Sequence, residues 1–195
     1  MEATQGLQND HELIEHVASA VERQAESAVA TGVVDVEFFR RALDFFRGFT
    51  DTCHHGKEES ILFPALERAG MPGENGPIGV MLAEHEEGRD HLRHLAQAID
   101  AYAAGDRTAA QTVAREAAAY AALIESHIEK ENSVLFPWAE EILAEDDKAK
   151  LLDRMDEYEA KVMGPGVHER YHELAHALMT VNAAAGSPAD LSHAH

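Results

Sequence analysis

The sequence has very little of several things on which common classes of protein depend. Its 195 residues include a single cysteine, Cys53, so no disulfide can form within the chain and no cysteine-based zinc site or iron–sulfur cluster can be built from it alone. Basic residues number 16 against 36 acidic ones, which gives a formal net charge of -20. Because a phosphate backbone or an anionic membrane surface would be repelled by such a chain, we expect neither nucleic acid nor a membrane as a partner.

Long apolar runs are missing as well. No run approaches the ~18 residues that a membrane-spanning helix needs, and the first residues lack the basic and apolar stretches of a signal peptide. We therefore expect a cytoplasmic protein. Apolar residues make up 45% of the chain, which is enough for one ordinary core. Histidine, in contrast, is abundant, with 13 copies of which several are clustered.

Helical periodicity dominates the sequence, and the alternation typical of strands is almost missing. Four long segments carry apolar residues at intervals of three and four, separated by glycine and proline: 5–30, 35–69, 78–102 and 107–143. Long helices with short connections pack as antiparallel neighbours. The predicted fold is therefore all-α: an up-down-up-down four-helix bundle over residues 1–145, two additional C-terminal accessory helices packed on it over 146–185, and a flexible tail over 186–195.

An internal repeat relates the second and fourth helices. Residues 54–64 (HHGKEESILFP) match residues 127–137 (HIEKENSVLFP) without a gap. The first and third helices resemble each other more weakly, in the tripeptides that begin at Asp10 and Glu84. A histidine in each tripeptide precedes the repeated motif by 43 residues in one half and by 42 in the other. The bundle is therefore predicted to consist of two helical hairpins related by a pseudo-twofold axis.

Six polar residues lie on the apolar stripes of these helices and should point into the core. Residues four apart share one helix face, so both members of each His-x-x-x-Glu pair point the same way. Buried carboxylates without partners cost several kcal/mol each. No lysine or arginine on the stripes is a clear partner for these carboxylates, and metal ions would compensate their charge. The predicted ligands are His11, His54, Glu58, His85, His127 and Glu131.

Four imidazoles and two carboxylates suit two metal ions better than one. We assign His11 and His54 to one ion and His85 and His127 to the other. Both glutamates would bridge the ions, together with an oxo or hydroxo group derived from solvent. Mixed nitrogen and oxygen ligation with an open position on each ion suits iron best, with manganese or zinc as the less favoured alternatives.

Other side chains near the predicted ligands have competing interpretations. Glu15, four residues after His11, is a candidate extra ligand, although a solvated or outer carboxylate is the simpler interpretation. In the last helix, His168 or Tyr171 could reach the open metal positions as a ligand or hydrogen-bond donor, and packing of an accessory helix is the alternative.

The second helix offers an alternative His-x-x-x-Glu pair, His55 and Glu59. The repeat favours His54 and Glu58 instead, because the counterparts of the alternative pair at positions 128 and 132 are Ile and Asn.

These motifs resemble the hemerythrin-like, or HHE cation-binding, family. The resemblance rests on the six predicted ligands in their order along the chain and on the stretches HHxKEExxLFP and HxxKExxxLFP, and it covers about residues 5–143. It implies a four-helix bundle with a non-haem di-iron centre. Members of the family include oxygen carriers, sensors of oxygen or redox state, nitric-oxide-responsive proteins and proteins linked to peroxide handling.

Two features separate this sequence from particular branches of that family. Oxygen carriers place a second histidine four residues after the third-helix ligand, and here that position is Arg89. The six-residue set is more similar to the di-iron repair proteins, but those use an additional cysteine pair, whereas Cys53 is the one cysteine here. We therefore expect a protein that binds or reacts with a small oxidant such as O2, peroxide or NO. The alternatives are an iron or oxygen sensor and an iron-donor or iron–sulfur repair accessory protein whose partner supplies the thiols. Enzymatic activity and oligomeric state stay open.

Overall fold

The computed structural model describes residues 2–185, and every regular element in that range is a helix. This confirms the all-α prediction. None of the described helices is both long enough and apolar enough to cross a membrane. The predicted flexible tail over 186–195 lies outside the described residues.

Four long helical units form the bundle. Two of them are uninterrupted α-helices, α1 (Gln5–Thr31) and α4 (Pro77–Ala103). The second unit runs through α2 (Val36–Phe45), the π-helical segments π1 (Phe46–His55) and π2 (Glu58–Leu62), and α3 (Phe63–Arg68). The fourth runs through α5 (Ala109–Lys130), the π-helical segment π3 (Glu131–Leu135) and α6 (Phe136–Ile142). Each unit begins and ends within two residues of its predicted bounds.

The internal repeat extends to the backbone itself. Both π2 and π3 begin at the glutamate of the repeated motif and end two residues before a proline, Pro64 or Pro137. Proline cannot donate the hydrogen bond to the residue four positions back, and π turns, with their bonds to the fifth residue back, occur mostly as short widenings inside α-helices. The Leu-Phe-Pro of the repeat therefore marks the same local widening in both hairpins.

Two apolar clusters fill the bundle, one toward each end. The larger includes Ile14 and Val17 of α1, and the smaller includes Leu7 from the preceding turn of the same helix. His11 lies between them along α1, and the other predicted ligands lie at the same level of their helices. The polar residues therefore form a layer between two dry cores, where water cannot readily compensate their charge.

Two more helices pack on the outside of the bundle: α7 (Glu145–Val162) and α8 (Val167–Ala185). The α7 helix lies against π1 and π2, and α8 lies against α1 and α2. Leu151 and Met155 of α7 join the smaller apolar cluster, and Tyr171 of α8 joins the larger one. The two accessory helices therefore share the cores of the bundle, and the predicted domain boundary after residue 145 stays a prediction.

Tyrosines of the accessory helices lie directly over two glycines of the second helical unit. A Cβ atom on Gly48 would lie 1.7 Å from Tyr171 Oη, and one on Gly56 would lie 2.1 Å from Tyr158 Oη. Tyr158 also donates a hydrogen bond of 3.0 Å to the carbonyl of Thr52. These close contacts hold α7 and α8 against the segment that carries His54.

Replacing Gly48 by alanine should weaken the docking of α8. The new methyl group would displace the buried Tyr171 ring, and such overpacking costs about 1–3 kcal/mol. We expect a lower melting temperature and faster protease cleavage within α8. Gly6→Ala is the matched control, because no other atom lies within 4 Å of a Cβ at that helical position. Equal stability of the two variants would contradict this account of the interface.

Candidate metal centre

The structure brings the six predicted ligands together in the middle of the bundle. Each of them is at most 2% exposed. Their side-chain nitrogen and oxygen atoms fall into two groups, each with all atoms within 4.8 Å of one another. One group consists of His11, His54, Glu58 and Glu131. The other consists of His55, Glu58, His85 and His127, so Glu58 belongs to both.

The histidines form two pairs with the same spacing. The Nε2 atoms of His11 and His54 lie 3.1 Å apart, and so do those of His85 and His127. In each case one histidine comes from the second or fourth helical unit and the other from α1 or α4. This is the pairing that the repeat predicts.

Each carboxylate faces both histidine pairs. Glu131 Oε2 lies 3.1 Å from His11 Nε2 and 3.4 Å from His127 Nε2. Glu58 Oε1 lies 3.6 Å from His54 Nε2, while Glu58 Oε2 lies 3.5 Å from His85 Nε2. A carboxylate that reaches both pairs can supply an oxygen to an ion in each group.

Apart from these imidazoles, no described group compensates the burial of the two carboxylates. Both are 0% exposed, and none of their four oxygens has a hydrogen-bond partner among the described residues. Burial and the nearby charge of Glu131 raise the pKa of Glu58 well above its ordinary value. Burial alone would also raise the pKa of Glu131, but the nearby imidazoles of His127 and His11 outweigh it and lower that pKa. Without a cation, a proton on this pair must therefore compensate part of its negative charge. Metal ions in the two groups would compensate the same charge, so the donor set fits them.

Carboxylates outside the centre orient one histidine of each pair. His54 Nδ1 lies 3.3 Å from Asp10 Oδ2, and His127 Nδ1 lies 3.0 Å from Glu84 Oε2. Each of these acids directly precedes the upstream histidine in the sequence, which explains why the first and third helices resemble each other. A proton on Nδ1 leaves the Nε2 lone pair directed at the centre. Burial lowers the pKa of His54 to about 4, so this imidazole is neutral and able to bind a metal.

The lysines of the repeat neutralise those outer acids. Lys57 Nζ donates to Asp10 Oδ2 at 2.8 Å, although the lysine is only 6% exposed, and Lys130 donates to Glu84 in the other half. Burial alone would raise the pKa of Asp10, but its contacts with His168 and His54 and the charge of Lys57 outweigh it and hold the pKa below its ordinary value. Sequence reasoning missed this function, although the signal was present in the lysine that both halves of the repeat share.

The upstream histidines are oriented by the residue that follows each glutamate ligand. His11 Nδ1 donates to Asn132 Oδ1 at 2.9 Å, and His85 Nδ1 donates to Glu59 Oε1 at 2.7 Å. The repeat aligns Asn132 with Glu59. The two halves therefore share one geometry but differ in charge, because one histidine faces an amide and the other a carboxylate.

Arg89, at the position where oxygen carriers have a further histidine, does not point at the centre. Its guanidinium donates to Asp51 at 2.8 Å, to Glu59 at 2.7 Å and to Glu86 at 2.6 Å. Through Glu59 it helps to hold the His85 ring in place.

His55 is a further buried residue beside the centre, at a position that sequence reasoning did not select. Its side chain is 4% exposed and belongs to the second group of possible ligands. The repeat aligns it with Ile128, which argued for His54 as the metal-facing residue. Ile128 is itself completely buried, however, so the same alignment places His55 in the interior.

Three further candidates do not reach the centre. Glu15 is exposed on α1 and contributes no atom to either group. Tyr171 packs against the rings of Phe45 and Phe49. His168 does not reach the predicted metal positions. Its Nε2 lies 3.8 Å from Asp10 Oδ1, so it contacts the centre only through Asp10.

A helical bundle with two adjoining groups of buried histidine and glutamate defines an all-α cation-binding protein. Comparison with known families agrees: residues 3–139 match the family model described as the hemerythrin HHE cation binding domain, and the chain belongs to that family. Uncharacterized proteins of Mycobacterium bovis and Mycobacterium tuberculosis are 24% identical to it over 162 residues. That match covers 83% of this chain and 63% of those proteins, so the chain spans less than two thirds of their length.

The metal-free protein should become more stable when Glu58 is replaced by glutamine, and the gain should depend on pH. The raised pKa of Glu58 means that the folded state binds a proton that the unfolded state has released. The resulting loss in free energy of unfolding is therefore absent below the ordinary pKa of glutamate. It grows above that pKa, by up to about 1.4 kcal/mol per pH unit. Urea unfolding of chelator-treated wild-type and Glu58→Gln proteins between about pH 4 and pH 8 measures it.

The control for this comparison is Glu12→Gln, which changes an exposed carboxylate one residue from His11. Its difference from wild type should stay small at every pH. If the free energies of unfolding of Glu58→Gln and wild type differ by the same amount across this pH range, the folded metal-free protein does not hold an extra proton on Glu58.

Proposed function

We propose that this chain is a cytoplasmic di-iron protein that binds or reacts with a small oxidant. His11 and His54 hold one ion, His85 and His127 hold the other, and Glu58 and Glu131 are shared between them. The observation that carries the proposal is the pair of completely buried carboxylates, each facing both histidine pairs, with four oxygens that no described group satisfies.

The donor set fits iron, which we propose as the metal. Imidazole nitrogens with carboxylate oxygens suit iron and manganese, whereas soft thiolate ligands are missing because Cys53 is the one cysteine. Burial also raises the pKa of the Cys53 thiol to about 11, which keeps this neighbour of His54 protonated. A pair of iron ions supplies redox chemistry and open coordination positions when bound, and the protein supplies a dry, oriented site.

The space beside the centre favours a ligand of very small size. A cavity next to His85 and His127 leaves about 10 Å³ for the centre of a water molecule, which is room for roughly one such molecule. Leu92, Tyr120, Leu123 and Ile124 form one part of its wall, and the three histidines His55, His85 and His127 with the charged residues Asp51, Glu84 and Arg89 form the other. O2, NO and peroxide are of this size, whereas an organic substrate would need the side chains to move apart.

The metal content of the protein tests this proposal directly. Protein produced with iron should hold two ions per chain, show the Mössbauer signals of a coupled pair and change its optical spectrum on adding azide, peroxide or NO. His11→Ala should lose at least one ion because it removes a ligand. His16→Ala is the matched control, because His16 lies on the exposed face of the same helix. Wild-type protein that binds no iron, or whose spectrum responds to none of these ligands, would refute the proposal.

A sensor is the second candidate, and the accessory helices favour it. Lys57, which is bonded to Asp10 beside His54, also lies 3.5 Å from Glu159 of α7, and His168 of α8 lies 3.8 Å from Asp10. The α8 helix thus contacts the carboxylate that orients a proposed ligand, and α7 contacts the lysine that is bonded to this carboxylate. Movement of His54 on metal binding would be passed to α7 and α8 through these charges.

If the protein is a sensor, metal binding should protect α8 from proteolysis. We expect slower cleavage between residues 164 and 180 in the metal-loaded protein than in the chelated one, and a smaller difference in His168→Ala. His176→Ala removes an exposed histidine of the same helix and should behave as wild type. Equal cleavage rates with and without metal would argue for the oxidant-binding protein without a sensing function.

A further inference from the structure

Gly88 is a buried glycine in the middle of α4, at a position where the backbone does not require one. Its φ is not positive, and glycine inside a helix is less favourable than alanine because it loses more conformational freedom on folding. A Cβ atom here would meet only ordinary contacts, the nearest at 3.4 Å from Tyr120 Cε2 and the next at 3.8 Å from Leu123 Cδ2. Alanine would therefore fit, so neither the backbone nor close packing accounts for the glycine.

The space that a side chain at Gly88 would occupy belongs to the cavity beside His85 and His127. Gly88, Tyr120 and Leu123 all line this cavity, and a new Cβ atom would lie nearest to the latter two. The cavity has room for roughly one water molecule, and a methyl group takes up a similar space. Even the smallest side chain at this position would therefore fill much of the cavity.

The cavity has a partly exposed part and a buried part. The side chains of Asp51 and Arg89, which are 27% and 30% exposed, line the first. His85 and His127, which are at most 2% exposed, line the second. The cavity therefore extends from charged groups near the surface to two of the proposed ligands.

The face of α4 next to His85 is left uncovered on the side of this cavity. Residues three and four positions after a helical residue share its face, and after His85 these are Gly88 and Arg89. Gly88 has no side chain, and the guanidinium of Arg89 donates to three carboxylates that are each at least 27% exposed. Neither residue therefore closes the space between the surface and the histidine.

We propose that this cavity is the route by which a small ligand reaches the ion of His85 and His127, and that Gly88 keeps the route open. The assignment rests on the proposed function, because it takes an ion at these two histidines as given. It explains why a position that alanine could occupy, inside a long helix, is glycine. Leu123 of α5, on the other side of the cavity from Gly88, is the second residue that sets its width.

Stopped-flow measurement of NO association with the iron-loaded protein tests the route. Gly88→Ala should slow association at least about tenfold, because entry then requires the walls of the cavity to move apart. Release should slow by the same factor and leave the dissociation constant unchanged, since a narrower route affects entry and exit alike. Leu123→Ala widens the cavity from the other side, so it should restore fast association when it is combined with Gly88→Ala.

The melting temperature of the metal-free proteins is a second measurement, and it does not depend on the centre. Metal-free Gly88→Ala should melt at a higher temperature than wild type, because alanine is the better helix residue and displaces no neighbour here. Gly6→Ala makes the same substitution on α1, at a position that does not line the cavity, and should leave NO association unchanged.

Each other outcome overturns the assignment in a recognisable way. Equal association rates in Gly88→Ala and wild type would show that NO reaches the centre by another route. Weaker equilibrium binding with an unchanged association rate would show that the methyl group disturbs the bound ligand and not its entry. A lower melting temperature of metal-free Gly88→Ala would show that close packing requires the glycine. These three results leave the proposed function intact, whereas a wild-type protein that holds no iron would refute the proposed function and this assignment together.

Discussion

The repulsion between two buried carboxylates is the constraint on which the rest of this structure depends. Glu58 and Glu131 are completely enclosed, and among the described residues only the four imidazoles lie close enough to their oxygens to compensate them. A helical bundle without positive charge at this level would gain stability from apolar residues at both positions. The arrangement is understandable if the fold is built around cations, which the four surrounding imidazoles are oriented to bind. Membership of a cation-binding family agrees with this view.

The outer contacts show how the fold keeps neutral imidazoles directed at the centre. Asp10 and Glu84 each orient a histidine of the neighbouring helix and are themselves neutralised by a lysine from the repeat. Placing the compensating lysines one step away keeps them off Glu58 and Glu131, which would otherwise form ion pairs and lose their capacity to bind metal. The two halves differ beside the centre at Glu59 and Asn132 and at His55 and Ile128, and the accessory helices contact Asp10 and Lys57 of the first half.

Much of the fold and most of the candidate site could be predicted from the sequence. Apolar spacing and the glycine and proline breaks locate the helices, and in the structure Asp35 caps the second unit by accepting a hydrogen bond from the Phe38 N–H. The repeat locates the six central residues, because one-dimensional spacing determines which face of a helix a residue shares. His55 was not selected because the repeat aligns it with an isoleucine, although a buried isoleucine indicates an interior position as well. The contacts of His168 and Tyr171 also could not be predicted, since they depend on how α8 packs against α1 and α2, and spacing along one helix carries no information about that packing.

The central claim is that two metal ions lie between the four helices and share Glu58 and Glu131. A crystal structure of iron-loaded protein, with anomalous difference maps collected on either side of the iron absorption edge, is the most direct test. The account predicts two iron peaks, one between His11 and His54 and one between His85 and His127, each within coordinating distance of both glutamates. A single peak, or a map without peaks in which Glu58 and Glu131 hydrogen-bond to each other through a shared proton, would contradict it.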